Sequence, residues 1–280
     1  MLSDNRIIWK DNATLRDLSQ ALSDYNSDGQ VIDYVSAEDA IYLGSDLPFN
    51  HRYLEVSVVN ALPATVAVEI WDGNSWVAAV DVLDETAVGG ATLARSGIIS
   101  WVTPRDKSWG KEDTTENVDD LTSLRIYDMY WVRLKFSADL TPATALKYVG
   151  HKFSKDSDLF SEYAVLSRAS MMTAVKAGKT DWHEQTIVAA EYIVADVRER
   201  NRNVVSSAQI FNWQMFNKAS VHRTAEIAFS NFGEDYEDDR VKAGDYYKAA
   251  MNQPSYGVDS DGDGHVDLED RTGTTEFRRV

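Results

Sequence analysis

Residues 64–82 read Ala64-Thr65-Val66-Ala67-Val68-Glu69-Ile70-Trp71-Asp72-Gly73-Asn74-Ser75-Trp76-Val77-Ala78-Ala79-Val80-Asp81-Val82. Two β-rich runs flank an Asp-Gly turn, the pattern of an antiparallel hairpin. Tyr53–Val59 alternates in the same way just upstream. Further strands are expected at Val31–Val35, Ala40–Leu43, Ile98–Val102, Tyr130–Phe136 and Ala145–Val149. Many short strands separated by turn signals predict an antiparallel β-sandwich of jelly-roll type over residues 31–155. The polar segment Pro104–Asp120 reads as a long loop.

Beyond residue 155 the hydrophobic period becomes helical. Leu159–Ala177 forms one expected helix, ending at Gly178. Asp181 is placed to cap a second, with Ile187, Tyr192, Ile193 and Val197 near one face. The polar run Arg198–Asn203 suggests a break, Ser207–Phe232 a long third helix closed by Gly233, and Glu237–Met251 a fourth, with Pro254 beyond it. Residues 156–252 thus read as a small helical bundle. Residues 1–30 are expected to be an arm carrying a helix over Ala13–Tyr25, packed with the bundle or free. The class is α+β.

Composition narrows the chemistry. The 280 residues include no cysteine, which excludes disulfides and thiolate metal sites. The net charge of −17 disfavours binding to free nucleic acid. No run approaches the about 18 apolar residues of a membrane span, and the N-terminus lacks the apolar core of a signal peptide. His51, His151, His183, His222 and His265 are far apart in sequence, and no zinc-protease pair, phosphate loop or nucleophile elbow appears.

The densest chemical signal is Asp259-Ser260-Asp261-Gly262-Asp263-Gly264-His265-Val266-Asp267-Leu268-Glu269-Asp270. Its spacing is that of a Ca²⁺ loop. Asp259, Asp261 and Asp263 would offer side chains, His265 its carbonyl, Asp267 a direct or water-mediated contact, and Asp270 the closing ligand. Gly264 falls where the loop turns sharply. Asp270 stands where a longer Glu usually closes the shell, no second loop is visible, and a structural Ca²⁺ staple is the expected use. Residues 253–280 would then comprise this loop and a docking tail, Thr274–Val280, with Phe277, Arg278, Arg279 and Val280 as its contact residues.

The order of motifs in residues 160–280 resembles the head–tail connector (adaptor, or head completion) proteins of tailed bacteriophages. The matching segments are Thr224-Ala225-Glu226-Ile227-Ala228, Phe232-Gly233-Glu234-Asp235, Asp245-Tyr246-Tyr247-Lys248-Ala249-Ala250-Met251, the acidic loop, and the Arg-containing Phe277-Arg278-Arg279-Val280. The large β-rich region departs from compact members of that family and reads as an added or inserted domain. The resemblance implies a non-enzymatic virion protein of the neck, made in the host cytoplasm. About twelve copies would ring the DNA channel beneath the portal protein and present a surface to tail or nozzle proteins. DNA would pass without specific binding, because an acidic wall repels it.

Two rivals make different demands. A carbohydrate-binding or adhesion module would expose at least two of Trp71, Trp76, Trp101 and Trp109 together on one face. A glycoside hydrolase would face two carboxylates across a cleft, about 5–10 Å apart.

Overall fold

A computed structural model describes residues 5–111, 121, 128–200, 206–252, 256–257, 259, 264–265 and 271–272. The chain divides into two compact units, Met1–Gly150 with Asp261–His265, and His151–Ser260 with Val266–Val280. The fold is α+β.

In chain order the first unit contains β1 (Arg6–Asp11), β2 (Thr14–Asp17), a short α1 (Ser19–Ser23), β3 (Gln30–Val31), β4 (Ala40–Ser45) and β5 (His51–Val58). It continues with β6 (Val66–Trp71), β7 (Trp76–Ala78), β8 (Val80–Asp84), β9 (Gly97–Val102), β10 (Tyr130–Phe136) and β11 (Ala145–Gly150). These strands form two sheets, ordered β2-β1-β4-β10-β6-β7 and β3-β11-β5-β9-β8. Every pairing between them is antiparallel.

The expected hairpin is present, with Trp71 opposite Trp76. Asp72 shapes its turn by accepting the backbone N–H groups of Asn74 and Ser75. Its second strand does not run on to Val82 as the alternation suggested. Ala79 donates its N–H to the Val68 carbonyl, the last bond to the six-stranded sheet, and Val80 already pairs with Val102 in the other. A period of two marks extended chain but carries no information about which sheet it joins.

The expected N-terminal helix over Ala13–Tyr25 is replaced by β2 and the five-residue α1. Asn12 takes a left-handed φ of 53° in a tight hairpin turn, and its N–H is held by Asp39. Ile7, Ile8 and Trp9 are all buried, so the arm belongs to the first unit's sheet. One side of that sheet gathers Ile8, Ala40, Tyr42, Trp71, Leu121, Met129 and Trp131. Trp131 lies opposite Gly44, where an added Cβ would meet its ring at 2.6 Å. Only glycine leaves room for that indole. Burying such a ring removes roughly 150–250 Å² from water, worth about 4–6 kcal/mol as an upper bound.

The second unit holds α2 (Asp156–Glu162), α3 (Ala169–Val175), α4 (His183–Arg200), α5 (Asn217–Phe229) and α6 (Glu237–Met251), with 3-10 turns between. The two-residue strands β12 (Tyr256–Gly257) and β13 (Arg271–Thr272) pair antiparallel. The single helix expected over Leu159–Ala177 is broken at Tyr163 into α2, a 3-10 turn and α3. The break turns Leu166 into the core, where its carbonyl accepts the Trp182 indole N–H at 2.8 Å. Asp181 accepts the His183 N–H at the start of α4, as its position suggested. The helix expected from Ser207 begins only at Asn217. Ser206 and Gln209 instead cap a 3-10 turn reciprocally. Thr224, Ala225, Ala228 and Phe229 of α5 are buried, and small residues let neighbouring helices approach.

Candidate metal centre

Asp259, Gly264 and His265 are the described residues of the acidic loop, and each meets a residue far from it in sequence. Asp259 is fully buried. Its N–H donates to the Gln209 carbonyl at 2.9 Å, and its own carbonyl accepts the Gln209 Nε2 at 2.7 Å. The 3-10 turn that interrupts the expected third helix therefore presents Gln209 as a clamp on loop position one.

Gly264 has φ +86°, the left-handed conformation that the sixth position of a Ca²⁺ loop requires. An added Cβ would lie 2.4 Å from Cδ1 of Trp109. Trp109 is fixed by its indole N–H to Thr103 Oγ1 at 2.7 Å and by edge contacts with Phe49 and Tyr130. His265 donates Nε2–H to the Lys107 carbonyl at 3.2 Å. Asp261, Asp263, Asp267 and Asp270 lie outside the described residues, as do Phe277, Arg278, Arg279 and Val280 of the expected tail. Among the described residues no three His, Asp or Glu side chains form a metal cluster. Gln209, Lys107 and Trp109 were not legible as loop partners in the sequence.

Three of the five segments behind the family resemblance fall in the stretch from α5 to α6. Thr224–Ala228 lies within α5, Gly233 adopts φ +62° at the kink, and Asp245–Met251 is the last part of α6. Tyr247 of α6 donates its hydroxyl to Asp196 of α4. Burial, then the hydrogen bond and charge of Asp196, push the Tyr247 hydroxyl well above its usual range. Arg223 of α5 lies 3.9 Å from the Tyr192 ring and 5.2 Å from that of Tyr247, and pairs with Glu226 at 2.6 Å. The three long helices thus share one polar clasp. Glu237, Asp238 and Asp239 sit in the first turn of α6, where they complement the helix dipole.

Two of the histidines are packed within the units that hold them. His222 is half-buried, bonded through Nδ1 to the Tyr163 hydroxyl at 2.9 Å, and burial lowers its pKa. His51 is fully buried and is pushed down to about 3, first by burial and then by the Arg52 charge. Trp71, Trp101 and Trp109 are buried, and Trp76 packs against the cluster around Trp131. Three of these four rings are interior, and Trp76 is partly buried beside them. Among the described residues no helix is long and apolar enough to cross a membrane. No known protein-family model matches the chain, and no curated protein matches it.

Proposed function

We propose that this chain is a structural virion protein, a head–tail connector. Copies of it would form a ring of about twelve that docks on a portal protein, extends the DNA channel and offers an attachment surface to tail or nozzle proteins. The observation that carries this reading is the α5–kink–α6 element. It carries three of the five resembling segments, kinks at Gly233, and is clasped to α4 through Tyr247 and Asp196. The two antiparallel sheets of the first unit would form a sandwich directed at capsid or tail components.

A Ca²⁺ ion in the loop Asp259–Asp270 would act as a staple, fixing where the tail Thr274–Val280 departs toward the portal. The net charge of −17 suits a channel wall along which DNA slides. The burial of Trp71, Trp101 and Trp109 gives a carbohydrate-binding module no support.

The test is a mass measurement of the purified chain, alone and mixed with a cognate portal ring. Ring assembly or stoichiometric portal binding is expected. A strict monomer indifferent to the portal would overturn the reading.

A further inference from the structure

One end of the first unit is built of three loops locked together by a single buried side chain. Asn60 follows β5 and is 1% exposed. Its Nδ2 donates to the carbonyls of Leu62 and Thr92, at 2.8 and 3.0 Å. Its Oδ1 accepts the N–H groups of Leu62 and Thr141, and its backbone N–H donates to the Leu93 carbonyl. Ala64 donates to the Gly90 carbonyl and accepts from the Thr92 N–H. With both ends of its amide engaged, Asn60 fixes residues 59–65, 86–94 and 137–144 against one another before any partner arrives.

This fixed end is apolar and uncharged. Val58, Val59, Leu62 and Val88 are exposed, at 44%, 49%, 44% and 51%. Residues 56–68, 86–94 and 140–146 include no charged side chain, although 26% of the chain is charged. Charges flanking these stretches are bonded back into the unit. Asp84 accepts the hydroxyls of Thr86 and Thr92, Arg95 donates to the Glu85 carbonyl, and Asp139 accepts from Ser36. The projecting point is the turn Val88–Ala91, closed by mutual N–H···O bonds of 3.0 and 3.1 Å. Gly89 and Gly90, at φ 61° and 88°, give it type I′ form, and a Cβ added to either would meet nothing within 4 Å. Single exposed apolar residues are ordinary, but a charge-free set on interlocked loops marks a docking site.

Shape and charge together select the occupant. A bilayer is disfavoured: the three stretches contain no Trp, Tyr, Lys or Arg to anchor at a lipid surface, and a net charge of −17 is repelled by anionic lipid. A second copy, brought to the same end, meets its own projecting turn, and two such points cannot enclose each other. A different protein with a recess fits. The walls of that recess are uncharged, because a charged group placed there would lose water without gaining a partner. The tip Gly89-Gly90 has no side chains, so the backbone of the recess can come close. We infer that this end of the first unit seats in an apolar, uncharged recess of a nozzle protein, with Val88–Ala91 leading. The identity of that protein rests on the connector reading, in which the tail Thr274–Val280 meets the portal and the first unit faces tail components.

The test titrates the full chain with purified cognate nozzle protein, with portal ring and with phosphatidylcholine vesicles, and measures its mass alone. Nozzle protein should bind and slow hydrogen exchange at residues 87–91. Gly89→Asp leaves Asp-Gly, a favoured type I′ pair, so the turn is kept while a charge is set at its tip. That variant and Leu62→Asp should each weaken nozzle binding about tenfold or more, with portal binding, circular dichroism and urea midpoint unchanged. Nozzle affinity equal in parent and variants, or a parent that docks on the portal and ignores the nozzle protein, would overturn the inference and leave the connector reading standing. Nozzle binding through this end in a chain that ignores the portal would support the inference and overturn that reading. Self-association or vesicle binding abolished by the same variants would give the end another occupant and overturn the inference.

Discussion

Acidification should destabilise the first unit through His51. Its ring is fully buried on β5, opposite Ser100 of β9, with Nδ1 2.9 Å from Asn50 Oδ1 and Arg52 next in sequence. Folding lowers its pKa from 6.5 to about 3. The folded state therefore keeps the imidazole neutral, while the unfolded chain takes up a proton below about pH 6.5. Stability from this residue is present in full above that pH and is lost as the pH falls toward 3. At pH 4 the loss is about 3 kcal/mol, a large part of the roughly 5–15 kcal/mol that holds a typical domain. Urea denaturation of the parent and of His51→Gln at pH 7, 5.5 and 4 isolates this share. The variant should lose about 3 kcal/mol less than the parent between pH 7 and pH 4, because it has no proton to accept. Asp72 and Asp139, both lowered in the fold, add acid sensitivity at lower pH in parent and variant alike. Parallel losses in the two proteins, or a His51 ring that titrates between pH 6 and 7 in the folded chain by NMR, would refute the reasoning.

Gly264→Ala should weaken Ca²⁺ binding about tenfold or more, because the left-handed φ alone costs roughly 1–2 kcal/mol and the new Cβ collides with Trp109. Terbium luminescence excited through tryptophan reports it, since Trp109 touches the loop; an equally bright, equally tight variant would refute the loop geometry. Tyr247→Phe should cost about 1–2 kcal/mol in thermal unfolding of the helical unit by removing the bond to Asp196, and an unchanged midpoint would show the clasp to be idle. Gly44→Ala should cost about 1–3 kcal/mol by forcing the Trp131 ring out of its place, read as a lowered urea midpoint with altered near-ultraviolet dichroism.

Strands with their own alternation were legible. Tyr130–Phe136 has the bounds expected, and Glu237–Met251 is helical from end to end. Gly178 and Gly233 both take positive φ where helices were expected to end. The failures share a cause. Ala13–Tyr25 has helical spacing, but Ile7-Ile8-Trp9 can be buried only by pairing with β4, and that pairing draws Thr14–Asp17 into a strand. Ser207–Phe216 has apolar residues enough for a helix, yet Gln209 is committed to Asp259, fifty residues later. Local pattern records what a segment favours by itself; partners distant in sequence decide between nearly equal options. The acidic loop was readable as a composition of ligands, whereas its anchors on Trp109, Lys107 and Gln209 were not.

The crossing at Ala79 has a consequence for how this protein can change. The last bond to the first sheet and the first pairing in the second fall on consecutive residues, Ala79 and Val80. The phase of β8 is therefore set by the hairpin turn at Asp72–Ser75, in a different sheet. A single inserted or deleted residue at Ala79 would shift that phase by one, turn Val80 and Leu83 to the other face, and bring Asp84 outward. Substitutions at this junction alter one side chain; a length change alters the identity of a whole surface.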